Sequence, residues 1–346
     1  MALIDEVHRK AIRHCMKRNI PFTFFFLPDD DKPSFYAQTD DDVNAAHNFV
    51  IGEFNSSYTI SIADQYSAED VVKINCCFDE LYDDNDFETD KIEYISSINQ
   101  LVNELKSSGN KVVISRTKII RKFDKSKICD VAEEYFSANK NCFRALYYTS
   151  LHGMWLVATP ELLLNFDKDS RSYSTMALAG TRPSMPKDTP WDDKNIREHR
   201  YVTDYIVNKL KSLGLTPSVS EPFSLNHGKI EHICQRISGI SPIVNAKTII
   251  IALNPTPAIA GYPLEYAISE IRRIEKHQRE CYGGYISVED DNHSVSYVNL
   301  RSCRIDNDSV CLYAGGGITA LSNAEDEWNE TEAKMSQLVN IFSHIK

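Results

Sequence analysis

Apolar positions along the chain fall into short alternating or continuous runs set off by charged turns, with stretches of helical periodicity between them. Residues 1–18 carry their apolar side chains on one helical face. Residues 22–27 and 34–38 predict strands on either side of the acidic turn Asp29-Asp30-Asp31, and 50–53 with 58–62 predict a hairpin turning at Asn55-Ser56-Ser57. The acidic segment 79–90 reads as a solvated loop. A helix follows over 91–107, closed by Ser108-Gly109-Asn110. Strands are predicted at 111–118, 143–150, 154–158, near 173–178 and at 248–253, then at 284–288 and 294–305. Helices are predicted at 196–213 and 263–277 and at the end of the chain. Strands arrive in hairpin-like pairs and helices come singly between them, which favours an α+β fold with large antiparallel sheets over a doubly wound one. No fixed-period repeat is present.

Composition narrows the class. The 346 residues are 42% hydrophobic and 25% charged, as in a soluble globular protein, with a net charge of −11. That charge speaks against nucleic acid and against an anionic membrane surface as partners. It also means that an anionic substrate would need a local cationic site or a bound metal. Nine cysteines, an odd number without a CxxC pair, suit reduced thiols in a cytoplasmic protein. The apolar run 22–27 is far too short to span a bilayer.

One stretch concentrates chemistry. Asn299 to Lys334 reads as two short strands, the glycine loop Gly315-Gly316-Gly317, and an acidic helix capped by Ser322 or Asn323. It brings together Arg301, Glu327, Glu330 and Lys334, a mixture suited to a small dianion and a metal. On its own it reads equally well as a hairpin followed by a charged surface helix. Elsewhere Lys111 begins the strand KVVISR. Glu161 follows Thr159-Pro160 in what reads as an ordinary helix start. Glu198 shares a helical face with Val202 and Tyr205, placing a carboxylate on the core side, where such groups are rare unless paired or metal-bound. Carboxylates from two helices, offering oxygen ligands only, would suit Mg²⁺ better than zinc. No Walker A, GxGxxG, HExxH or nucleophile-elbow motif occurs.

Set in order, nine segments resemble those of the chorismate-utilising enzymes, which include isochorismate, salicylate, anthranilate and aminodeoxychorismate synthases. They are KVVISR (111–116), TPELLL (159–164), ALAGTRP (177–183), REHRYV (197–202), NPTPAIAGYP (254–263), RECYGGY (279–285), LRSCRI (300–305), YAGGGI (313–318) and EWNETEAK (327–334). Together they span about two thirds of the chain. The resemblance implies a single domain over 1–346 in which two large antiparallel sheets stack with helices outside. Residues 1–95 would supply outer elements and 96–346 the chorismate-binding core. It implies Mg²⁺ held by Glu198 and Glu330, with Glu327 acting through water. It implies substrate contacts from Gly180, Thr181, His232, Thr256, Tyr282, Arg301, Gly315 and Lys334.

The subfamily follows from the same resemblance. Aminating members usually carry glutamine where this chain has Lys111, and aminodeoxychorismate synthase carries a nucleophilic lysine where this chain has Ala179. Water would therefore be the nucleophile, with Lys111 as general base at C2 and Glu161 as general acid at the C4 hydroxyl. The implied activity is an isochorismate synthase for menaquinone or siderophore biosynthesis, a monomer with no amidotransferase partner. Salicylate synthase and a non-catalytic chorismate-binding paralogue are the alternatives. Asn254 and Ser287 depart from the family pattern, where histidine and glycine are common, and Asn195 stands where some relatives carry an additional metal-site glutamate.

Overall fold

The computed structural model describes residues 2–40, 45–82, 87–186, 189–227 and 230–345; within these, the side chains of Thr181, Lys194, His227 and Ile230 are not described, and residues 83–86 of the acidic segment lie outside. Two antiparallel sheets form the body. One runs, from edge to edge, Gly261–Tyr262, Lys111–Arg121, Ser309–Ile318, Ser302–Ile305, Gly153–Thr159, Phe143–Thr149, Phe22–Phe26 and Ser34–Ala37. The other runs Ser218–Val219, Ile230–Ile240, Ser172–Pro183, Leu162–Asp167, His293–Val298, Tyr285–Glu289, Asn48–Gly52 and Thr59–Ala63, with Phe223–His227 added to Ile230–Ile240. Early strands thus join both sheets, which is the stacked α+β architecture expected.

The sheets meet through an aromatic layer. Phe143 from one stacks on Tyr297 from the other at 4.6 Å between ring centroids, and Trp155 stacks on Tyr313 at 5.3 Å. The Phe143–Tyr297 pair adds to the area it buries and helps to hold the sheets in one relative position, whereas Trp155 and Tyr313 stack within one sheet. Helices cover the outer faces. Helix Asp193–Ser212 turns Val202, Tyr205, Ile206 and Leu210 inward, a spacing of three to four that makes one apolar stripe. The final helix, Ala324–His344, begins at Asn323, whose side chain accepts from the N–H groups of Glu325 and Asp326.

Four local expectations are corrected. The run expected as a strand at 248–253 is part of helix Ala246–Leu253. Its buried residues Ala246, Ile249, Ile250 and Leu253 follow helical spacing, and Asn245 caps it. The helix start expected at Thr159-Pro160-Glu161 is a two-residue link between strands Gly153–Thr159 and Leu162–Asp167, which lie in different sheets. The segment 294–305 is two strands in different sheets, broken where Arg301 adopts φ 49°. The glycines of AGGGI are no loop: they run inside strand Ser309–Ile318, paired with Val113–Ser115. Helix Ile128–Ala138 and the long strand Ile230–Ile240 were not anticipated.

Two of the chain's passages between the sheets, at Pro160-Glu161 and at 299–301, thus run side by side. Val298 donates its N–H to the Glu161 carbonyl at 2.9 Å, and Ala158 donates to the Arg301 carbonyl at 3.4 Å. The Tyr135 hydroxyl also donates to the Arg301 carbonyl, at 2.7 Å. Glu161 and Arg301 are held at the two crossing points by these bonds.

Candidate active site

Both crossing points border a cavity of ≈ 200 Å³. Ten of the thirteen candidate residues line it: Lys111, Glu161, Gly180, Glu198, His232, Tyr282, Arg301, Gly315, Glu330 and Lys334. They come from both sheets and from helices Asp193–Ser212 and Ala324–His344.

Lys111 is almost fully buried at the start of its strand, and its Nζ lies 2.5 Å from Glu198 Oε1. Space for the side chain comes from Gly317, where an added Cβ would stand 2.7 Å from Lys111 Cε. Gly315 faces the same side two residues earlier. There a Cβ would come 3.2 Å from the Tyr282 hydroxyl, which takes a hydrogen bond from the Gly315 backbone. Tyr282 stacks on Tyr313 at 5.4 Å, and burial pushes its phenol well above the usual range. The glycines thus remove side chains where a lysine and a tyrosine must enter the cavity.

Glu161 is the electrostatic centre. Burial pushes its carboxyl up from 4.5 to about 7, against the opposing pull of Lys111 and Arg301. A carboxylic acid poised there is half protonated at neutral pH and can donate a proton. His232 turns Nδ1 toward the Gly180 carbonyl at 3.1 Å; since a carbonyl only accepts, Nδ1 is the donor. Burial, with Arg301 and Lys334 nearby, holds the imidazole below its usual range and so neutral. Gly180 sits in a β-bulge opposite His232 at φ 73°, a conformation glycine adopts without strain. At the half-exposed rim, Lys334 Nζ reaches the Gly315 carbonyl at 2.8 Å and Glu330 Oε1 at 2.7 Å. Lys111, Arg301 and Lys334 bring three basic side chains to the cavity, two of them paired with Glu198 and Glu330.

Three candidates lie apart. Glu327 approaches the opposite face of the glycine strand, its Oε2 2.8 Å from where a Gly316 Cβ would stand, and does not line the cavity. Thr256 is buried away from it, its Oγ1 without a hydrogen-bond partner among the described residues. Thr181 pairs with His232 through the backbone, and its side chain is outside the description.

No group of three or more His, Cys, Asp or Glu is gathered at metal-binding spacing among the described residues. The donor chemistry nonetheless fits Mg²⁺. Two carboxylates, Glu198 and Glu330, face one cavity, and Mg²⁺ is commonly held by one or two carboxylates with substrate oxygens and water completing the shell.

Apolar walls from Val113, Leu178, Ile259 and Leu300 were not singled out from the sequence, since nothing separates them from ordinary core. Nor was the brace behind them. Buried Arg279 donates to the Val113 carbonyl at 2.7 Å and the Ile259 carbonyl at 3.0 Å, and pairs with Glu275 at 2.5 Å. A larger cleft of ≈ 1040 Å³ lies between helix Asp193–Ser212 and strands Phe223–His227 and Ile230–Ile240; none of the candidates lines it.

With the geometry in place, comparison with known proteins is decisive. The model of the chorismate binding enzyme family matches residues 55–343. The chain belongs to the chorismate binding enzymes. It is 27% identical over 260 residues to isochorismate synthase MenF of Haemophilus influenzae, covering 72% of this chain and 60% of that protein. It is 30% identical over 202 residues to isochorismate synthase EntC of Escherichia coli K12, covering 55% and 51%. The chain thus matches between half and three fifths of the length of these relatives. The solved structure of MenF, the menaquinone-specific isochorismate synthase from Escherichia coli, superposes with a TM-score of 0.80 at 21% identity, over 98% of this chain and 91% of that one. That likeness gives the fold of a chorismate binding enzyme. Among the described residues no helix is long and apolar enough to cross a membrane.

Proposed function

We propose that this chorismate binding enzyme is an isochorismate synthase, converting chorismate reversibly to isochorismate. The observation that carries the reading is that Lys111 and a Glu161 poised at about 7 border one cavity with Arg301 and Lys334. Lys111, acting in its neutral amine form, takes a proton from water as the water oxygen bonds to C2 of the ring. The ring double bonds shift, the C4–oxygen bond breaks, and Glu161 gives its proton to the departing hydroxyl, which leaves as water. Atoms balance: one water enters and one leaves. The reverse reaction exchanges the two roles. Arg301, Lys334 and the backbone at Gly315 would hold carboxylates, and the neutral His232 would stand beside the ring.

Glu198 and Glu330 would hold Mg²⁺, which would supply charge neutralisation for the ring carboxylate. The names of the relatives support the reaction. Incubation with chorismate and Mg²⁺, followed by chromatography, tests it. An isochorismate peak is expected, and a salicylate peak without an added lyase would replace this reading with salicylate synthase. Whether the product serves menaquinone or a siderophore is tested by which pathway a deletion strain loses.

A further inference from the structure

Lys111 and Arg116 stand five residues apart on strand Lys111–Arg121 and so point to opposite faces of its sheet. Arg116 is fully buried against the final helix, Ala324–His344. Its Nε donates to Thr331 Oγ1 at 2.6 Å, and its Nη2 pairs with Glu332 Oε1 at 2.5 Å. The centre of the guanidinium lies 3.7 Å from the centre of the Trp328 ring. Trp328, Thr331 and Glu332 follow i, i+3, i+4 spacing and share one helical face; Glu330 and Lys334 share another and line the cavity.

The two halves of this helix are anchored differently. Its buried residues are Ala324, Thr331, Met335, Leu338, Ile341 and Phe342. Apolar side chains therefore hold the half from Met335 onward, whereas between Ala324 and Met335 the buried side chain is Thr331, the one that Arg116 bonds. The Thr331 hydroxyl donates to the Trp328 carbonyl at 2.7 Å, which turns its oxygen lone pairs to Arg116. Glu330 and Lys334 are 50% and 43% exposed, so little packing of their own holds them. Their place is set by the place of the helix.

We propose that Arg116 is a positioning residue: its bonds to Thr331 and Glu332 and its stack on Trp328 fix the roll of the helix and aim Glu330 and Lys334 into the cavity. The proposal rests on the reading in which Glu330 holds Mg²⁺ and Lys334 a substrate carboxylate. Apolar burial is non-directional and resists a roll weakly, whereas hydrogen bonds and a planar stack are directional. A roll of about 20° moves a side-chain tip roughly 5–6 Å from the helix axis by about 2 Å. Mg²⁺ demands near-ideal octahedral geometry and would not follow such a shift. Lysine in place of Arg116 could keep an ion pair but not both bonds and the stack.

Calorimetry of Mg²⁺ binding and steady-state kinetics on Arg116→Met, Arg116→Lys and Thr331→Val test the proposal. Arg116→Met should weaken Mg²⁺ binding at least tenfold and raise the KM for chorismate at least fivefold. Its kcat at saturating substrate and metal should stay within threefold, because Lys111 and Glu161 are untouched. Arg116→Lys should fall between Arg116→Met and wild type. Thr331→Val, a milder change that guards against misfolding of the others, should shift the same two quantities in the same direction by more than twofold. In a Glu330→Gln background, Arg116→Met should cost less than a further threefold in Mg²⁺ affinity, since the ligand it aims is already gone. Folded Arg116→Met and Thr331→Val proteins with Mg²⁺ affinity and KM within twofold of wild type would overturn the proposal. Equal losses of Mg²⁺ affinity in the two backgrounds would overturn it too, by making Arg116 a brace for stability alone. A wild-type enzyme that binds Mg²⁺ but makes no isochorismate would overturn the functional reading, and the calorimetric comparison would still decide whether Arg116 positions Glu330.

Discussion

Lys111 Nζ and Glu198 Oε1 stand 2.5 Å apart, so the candidate base and a candidate metal ligand are paired directly. Lys111→Gln removes the base and leaves a carboxylate that is only 19% exposed without its ammonium. Turnover should fall by ~10²–10⁴. Stability should fall by about 1–3 kcal/mol, less than the ~3–5 of a fully buried broken pair. Steady-state kinetics and urea melts of the metal-free protein measure the two effects separately.

The acid should show itself in pH dependence. Glu161 titrates near 7 in the folded chain and near 4.5 in the unfolded one, so the folded state holds the extra proton between those values. Its contribution to stability is therefore lost as pH rises from about 4.5 to about 7. Glu161→Gln, which cannot ionise, should be more stable than wild type at pH 8, by about 1–3 kcal/mol, with the gap closing toward pH 4.5. The same substitution should cost ~10²–10⁴ in turnover. In wild type, kcat/KM for chorismate should decline above about pH 7. A flat profile from pH 6 to 8.5 would remove Glu161 from the acid's role.

The glycine strand makes a paired prediction. At Gly317 an added methyl would press on Lys111 Cε, whereas at Gly316 it would meet the end of the Glu327 side chain. Gly317→Ala should lower kcat at least tenfold. Gly316→Ala should stay within threefold of wild type, because a carboxylate tip on a flexible stem moves aside cheaply. Kinetics on both variants, with thermal melts to confirm folding, decide.

Metal binding should divide the three glutamates. Glu198 and Glu330 face the cavity and Glu327 does not. Glu198→Gln and Glu330→Gln should weaken Mg²⁺ binding by calorimetry at least tenfold, and Glu327→Gln by less. Chelation should abolish turnover, and added Mg²⁺ should restore it. Equal losses in all three variants would place Glu327 among the direct ligands.

Arg279→Met should destabilise the protein by about 3–5 kcal/mol. It leaves Glu275 buried without its guanidinium and the carbonyls of Val113 and Ile259 without donors. The urea midpoint is the readout.

Helix periodicity places Glu198 on the core side, whereas the roles of Lys111 and Glu330 follow only from the resemblance of their segments to those of the chorismate-utilising enzymes. What was not legible depended on long-range pairing. Thr159-Pro160-Glu161 has the composition of a helix start, and only the partner strands on either side make it a link between sheets. The glycines of AGGGI look like a turn until strand 111–121 is seen beside them. Ile249 and Ile250 belong to an apolar run too short for periodicity to separate strand from helix. The brace at Arg279 and the contacts of Arg116 with the final helix join elements far apart in sequence, and no local pattern announces such neighbours.

The two crossings between sheets carry a consequence for how the enzyme would fail. The backbone bond at Glu161 continues the pairing of strands Leu162–Asp167 and His293–Val298, and that at Arg301 the pairing of Gly153–Thr159 and Ser302–Ile305, so the two residues are tied to different sheets. Heat or denaturant that parts the aromatic layer would separate proton donor from anion holder in the same event. Inactivation and loss of the near-ultraviolet aromatic signal should therefore share one midpoint, with no stable, compact but inactive state between them.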